Sequence, residues 1–142
     1  MNTRTTQAVH PSRAAIAALP ISTNVKIATA ELNGLGPRVI DLGCGEGKFT
    51  RGLCAQFAEV TGLDIKERKI ADANDKAREQ GVNAKFITGS ADAIPFSDGH
   101  FDAVIFSNSL HHMPNPSSAL KEGLRVLRQN GLLYIITMRP AL

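Results

Sequence analysis

The stretch Val39-Ile40-Asp41-Leu42-Gly43-Cys44-Gly45-Glu46-Gly47-Lys48-Phe49-Thr50 decides how the rest of the chain is read. A short strand-like run enters a turn with glycine at alternate positions, and a helical pattern follows. Glycines spaced this way let the backbone pass close to a ligand. The N-terminus of the next helix adds amide N–H groups that have no partner inside the helix. Spacing then separates the ligand classes. A dinucleotide-binding G-x-G-x-x-G counted from Gly43 needs its last glycine where Lys48 stands. A phosphate-binding loop needs Gly-Lys-Ser/Thr and an earlier glycine; Gly47-Lys48 is followed by Phe49, and the earlier position is Leu42. Both patterns fail.

Outward from this turn the elements alternate. Lys48 to Phe57 reads as a helix with Phe49, Leu53 and Phe57 on one face, and Val60 to Asp64 as a second strand. Lys66 to Gln80 reads as a helix closed by Gly81, and Ala84 to Thr88 as a third strand. An irregular loop with Pro95, Asp98 and Gly99 leads to a fourth strand, Phe101 to Asn108. Ser117 to Arg128 reads as a helix and Gly131 to Thr137 as a fifth strand. On the N-terminal side, residues 1–22 read as a polar arm broken by Pro11 and Pro20; residues 23–142 form one domain, opening on a short helix from Thr23 to Leu32. Such alternation specifies an α/β fold, a parallel sheet with helices on both faces. Ligands then sit beyond the carboxyl ends of the strands, where Asp41, Asp64 and Ser107-Asn108 fall.

With 142 residues, 43% hydrophobic and 20% charged, the chain is a single globular domain with enough apolar material for a core. No apolar run is long enough to span a membrane, and no secretory leader is evident. The net charge of +3 resides in the first 38 residues, which hold Arg4, Arg13, Lys26 and Arg38 against Glu31 alone. The body is balanced, so neither a nucleic acid nor a membrane is an expected partner. The acid-free first thirty residues share that feature with organelle transit peptides but hold only two arginines. Cys44 and Cys54 form no C-x-x-C pair, which fits a reducing, cytoplasmic setting.

The arrangement resembles the class I S-adenosylmethionine-dependent methyltransferases. VIDLGCGEGKFT (39–50) is similar to that family's cofactor loop, and VTGLDI (60–65) to its second strand ending in an acid. GSADAIPFSDGHFDAVIFSNSLHHM (89–113) resembles the adenine loop and fourth strand of the group that includes quinone-biosynthesis methyltransferases. LKEGLRVLRQNGLLYIIT (120–137) resembles the following helix and strand. The resemblance implies a Rossmann-like, doubly wound, mainly parallel sheet of five strands in order 3-2-1-4-5, lacking the family's last two strands. It implies S-adenosylmethionine as cofactor and a small-molecule methyl acceptor.

Carried over residue by residue, it places the backbone of Gly43, Cys44 and Gly45 against the methionine part of the cofactor. Asp41 orients its amino group directly or through water, Asp64 accepts from the ribose hydroxyls, and Ile65 lies on the adenine face. Ser90 stands where the family usually has an acid for the adenine amino group; either Ser90 or Asp92 takes that bond, with the Ala91 N–H serving the ring nitrogen. Asn108 closes the cofactor-binding set. His111 and His112 are the candidate catalytic residues: either one deprotonates the acceptor, or it hydrogen-bonds loop backbone. No metal site is expected, since adjacent histidines point apart and no third ligand is near. Neither cysteine is an expected nucleophile.

A fifth strand left as an apolar edge predicts a homodimer or a partner chain paired along it. A different class stays open beside the enzyme: a non-catalytic module that keeps the fold and binds S-adenosylmethionine or a partner.

Overall fold

The computed structural model describes residues 34–136. The arm over 1–22, the helix expected over Thr23–Leu32 and Thr137 at the end of the fifth strand lie outside the described residues. The described chain forms β1 (Arg38–Leu42), α1 (Lys48–Gly52), β2 (Glu59–Asp64), α2 (Glu67–Gln80) and β3 (Ala84–Thr88). After a long irregular segment come β4 (Phe101–Ser107), α3 (Pro116–Val126) and β5 (Leu127–Ile136). The sheet order is β3-β2-β1-β4-β5, and each neighbouring pair is parallel.

The central strands are apolar on both faces because both faces are covered. Val39, Val60, Ala103, Ile105 and Tyr134 pack on one side with Phe49, Leu53 and Phe57. On the other side, Ile40, Leu42, Leu63, Val104 and Phe106 pack with Ala119 and Val126 of α3. Ile70, Ala73 and Ala77 lay α2 over Phe86 of β3. Gly81, in the left-handed region at φ 67°, ends α2 as its position in the sequence suggests.

Two elements depart from the sequence reading. The helix expected from Lys48 to Phe57 stops at Gly52 and tightens into a 3-10 turn over Leu53–Ala55. Gly52 is a poor helix former, and the tighter winding still buries Phe49, Leu53 and Phe57 on one face. The helix expected to reach Arg128 ends at Val126, and β5 begins at once. Leu127 pairs with Phe101, the next pair is Ala103 with Leu132, and the residues between bulge out through Asn130 at φ 64°. Tertiary contacts decide this boundary. Leu127 is buried in the core, while the Arg128 guanidinium bonds Asp102 Oδ1 and the Leu35 carbonyl, each at 2.6 Å.

Candidate functional site

The carboxyl ends of β1, β2 and β4 converge on one cleft of about 310 Å³. Its walls include Gly43 and Gly45, Asp64 and Ile65, Ser90, Ala91 and Asp92, and Asn108 with His112. The expected site is therefore largely assembled in one place, from four separate stretches of chain.

The glycine turn is fixed by the end of β2. Gly43 N–H and Cys44 N–H both donate to the Leu63 carbonyl, at 2.7 and 3.0 Å, and Gly45 N–H donates to Asp64 Oδ2 at 2.8 Å. Gly43 and Gly45 take φ of 74° and 58°, left-handed conformations that favour glycine. At Gly43 even a methyl group is excluded, since a Cβ would lie 2.7 Å from the Ser109 side chain. At Gly45 a Cβ meets nothing within 4 Å, so that part of the turn faces open space.

Asp64 is the hub. Besides Gly45, its Oδ1 accepts from Lys66 N–H at 2.9 Å, and its backbone carbonyl accepts from Gly89 N–H at 2.9 Å. Each carboxylate oxygen retains acceptor capacity for a hydroxyl of a vicinal diol. Ile65, beside it, is the one large apolar side chain among the described residues that is strongly exposed, at 67%. An exposed apolar surface at the rim of a cleft suits the face of a planar ring.

Asp41 and Cys44 lie behind the wall instead of on it. Asp41 is 1% exposed and accepts the Thr50 hydroxyl on Oδ2 at 2.8 Å, while Oδ1 has no hydrogen-bond partner among the described residues. Burial pushes its pKa up from 3.8 to about 7, with a smaller push from Asp64; the Thr50 hydroxyl and the nearby Ser107 amide pull the other way. The Cys44 side chain packs against the α2–β3 cluster, and burial, with Asp41 and Asp64 nearby, raises its thiol well above the ordinary range. Burial likewise raises Cys54. Both thiols stay protonated at neutral pH.

The Ser90 hydroxyl oxygen accepts from Asp92 N–H at 3.0 Å within the loop. That bond shapes the loop and leaves the Asp92 carboxylate as the acid on this side of the cleft. On the opposite side, Asn108 follows β4 at φ 54°, and Ser109 Oγ donates to the Leu42 carbonyl at 2.6 Å, pinning the next segment over the glycine turn. His112 lines the cleft; His111 does not. The expectation that the two side chains point apart is corrected: their rings lie side by side with centroids 3.9 Å apart and planes tilted by 45°, because the tight Leu110–His112 turn brings them together. Among the described residues no group of three or more His, Cys, Asp or Glu could hold a metal ion. The sequence reading did not single out Ser109, Met113, Lys66 or Lys69, which also line the cleft. Only their position beside strand ends two and four could have signalled them.

The match of these features to known proteins is direct. Residues 40–135 match the family described as a methyltransferase domain. The chain belongs to this family. It is similar to 27-O-demethylrifamycin SV methyltransferase of Amycolatopsis mediterranei, at 39% identity over 75% of this chain and 42% of that protein. It is also similar to a ubiquinone/menaquinone biosynthesis C-methyltransferase of Ectopseudomonas mendocina, at 33% identity over 76% of this chain and 45% of that protein. The solved structure of the YcgJ protein of Bacillus subtilis superposes with a TM-score of 0.71, at 32% identity, covering 79% of this chain and 49% of that one. The chain thus spans a little under half the length of the curated relatives it matches. Family and fold imply use of S-adenosylmethionine, and the residues of the cleft fit it: a glycine turn open to close approach at Gly45, a diol-ready carboxylate at Asp64 and an exposed apolar rim at Ile65. Among the described residues no helix is long and apolar enough to cross a membrane.

Proposed function

We propose that this protein binds S-adenosylmethionine in the cleft and transfers its methyl group to a small molecule bearing an acidic hydroxyl, such as a phenol or hydroquinone. The observation that carries the reading is the convergence of Gly43–Gly45, Asp64, Asp92 and His112 on one cleft. Asp64 takes the ribose hydroxyls, Asp92 the adenine amino group, Ile65 one face of the base, and the glycine turn the methionine end. When bound, the cofactor supplies an electrophilic methyl group on its sulfonium, so the chain's own task is to align the acceptor and take its proton.

His112 is placed for that proton. It sits on the cleft wall beyond β4, and an imidazole nitrogen can accept the proton of an acceptor hydroxyl in the transition state. The His111 ring lies beside it, centroids 3.9 Å apart and tilted by 45°. An acidic hydroxyl accommodates both acceptor atoms named among the relatives, oxygen in one and carbon in another, because a phenolate is nucleophilic at oxygen and at the adjacent ring carbon.

The test is transfer of a labelled methyl group from S-adenosylmethionine to a panel of phenols, catechols and hydroquinones. His112→Gln should lower kcat by roughly 10²–10⁴-fold while leaving the affinity for S-adenosylhomocysteine unchanged. Unchanged turnover in His112→Gln with an active acceptor removes the histidine from catalysis. Labelling of amines alone removes the hydroxyl class.

A further inference from the structure

Outside the cleft, the densest polar cluster of the described chain lies where α3 meets the long segment between β3 and β4. Arg125 reaches across from α3 with every arm of its guanidinium engaged. Nη2 donates to the Ile94 carbonyl at 2.8 Å, and Nη1 donates to the Phe96 carbonyl at 2.9 Å and to Asp98 Oδ1 at 2.8 Å. Nε donates to Glu122 Oε2 at 2.6 Å. Glu122 in turn accepts from Ile94 N–H on Oε1 at 2.8 Å, and the Arg125 carbonyl accepts from Gly99 N–H at 2.9 Å. Two side chains one helical turn apart thus hold both backbone polar groups of Ile94 and two further points of the same segment, and the Arg125 backbone holds a third.

Neither Glu122 nor Arg125 lines the cleft, yet Ile94 is two residues beyond Asp92, and Ser90, Ala91 and Asp92 do line it. The turn between them is short and internally tied, with Ala93 N–H donating to the Ser90 carbonyl at 3.1 Å. Ile94 is itself sunk into the core at 3% exposure, so the segment is fixed at this point and open to ligand just before it. The pair is half-sheltered, with side-chain exposures of 33% for Arg125 and 18% for Glu122. In such a setting a planar five-donor fork is worth more than a point charge. The ion pair pushes the Glu122 carboxyl below its usual range and the guanidinium above its own.

We propose that Glu122 and Arg125 are positioning residues that hold the 90–94 turn against the cleft, so that two side chains that never touch the ligand set how well the site reads the adenine base. The inference rests on the cofactor reading above and adds to it the residues that enforce it. A lysine at 125 keeps the charge but cannot bond two carbonyls and two carboxylates at once, so Asp92 and Ala91 lose their fixed distance from the ring.

The test is calorimetric titration with S-adenosylhomocysteine and with S-inosylhomocysteine, whose purine carries an oxygen in place of the 6-amino group. Wild type should prefer the adenosyl ligand by at least about tenfold. Arg125→Lys should weaken the adenosyl ligand by about tenfold or more and the inosyl ligand far less, so that the preference collapses. Glu122→Gln, a milder change that keeps an acceptor for Ile94, should lower the preference in the same sense by a smaller factor, and serves if Arg125→Lys does not fold. Arg128→Lys breaks a comparable arginine clasp on Asp102, at the start of β4 away from the cleft, and should leave the preference intact. An unchanged preference in both clasp variants, or an equal collapse in Arg128→Lys, overturns the inference while wild-type binding still supports the cofactor. Failure of wild type to bind either ligand overturns the cofactor reading, and this inference with it.

Discussion

Gly45 donates its backbone amide to Asp64 Oδ2 at 2.8 Å, so the glycine turn after β1 and the carboxylate at the end of β2 form one unit. The bond both orients the carboxylate and holds the turn open beside it. Removing the carboxylate therefore loosens the turn and, on the proposed reading, takes away the ribose contact as well.

Asp64→Ala should weaken S-adenosylhomocysteine binding by about ten- to a thousand-fold, corresponding to ~1.4–4 kcal/mol. Asp64→Asn should fall between it and wild type, because the amide keeps one acceptor oxygen. Equal titration curves for wild type and Asp64→Ala, with circular dichroism unchanged, would remove Asp64 from the site.

The two glycines of the turn should fail differently on substitution. Gly43→Ala meets the Ser109 side chain at 2.7 Å as well as a left-handed backbone, so strain and crowding add. Gly45→Ala faces open space and carries only the backbone penalty, about 1–2 kcal/mol. Urea denaturation should rank Gly43→Ala as clearly the less stable. Gly45→Ala should instead lose ligand affinity, since its methyl group projects where nothing else stands. Identical denaturation midpoints would contradict the packing at Gly43.

Asp41 gives a stability signature in pH. Its folded pKa, about 7, lies above the ordinary 3.8, so the folded protein holds a proton that the unfolded chain gives up. The contribution is fully present below about pH 4 and is lost as pH rises through about 7, with a limiting size of roughly 4 kcal/mol. Asp41→Asn cannot ionise and should gain melting temperature relative to wild type between pH 5 and pH 8.5. A gap that is constant across that range, measured by thermal denaturation, would show that Asp41 does not titrate there.

Loss of the Asp92 carboxylate should cost more than loss of the Ser90 hydroxyl acceptor toward ligand. Asp92→Asn is expected to weaken the adenosyl ligand by several-fold to tenfold. Ser90→Ala should act mainly by loosening the turn that its oxygen ties to the Asp92 amide. A larger affinity loss in Ser90→Ala than in Asp92→Asn would reverse the assignment.

The alternation of strands and helices and the place of the cleft were legible in the sequence because both rest on local pattern; the strand order came from the family resemblance. The apolar run at Val39–Leu42, the alternate glycines and the acid at the end of VTGLD are short-range signals, and parallel topology carries their ends to one edge. What the sequence hid depends on contacts between distant residues. The boundary at Val126 is set by Leu127 against Phe101 and Arg128 against Asp102; neither partner is visible from the helical period. The Ser90 bond to the Asp92 amide and the burial of Asp41 behind the wall depend on side-chain direction, which a motif does not encode. The arginine clasp at 125 was invisible for the same reason: its partners lie about thirty residues away.

The central claim is that the cleft between Gly43 and Asp64 is built for S-adenosylmethionine, and calorimetric titration of the unmodified protein tests it most directly. S-adenosylmethionine and S-adenosylhomocysteine should each bind at one site per chain, while NAD and ATP give no heat of binding. Micromolar binding of NAD with no response to either adenosyl ligand would contradict the claim.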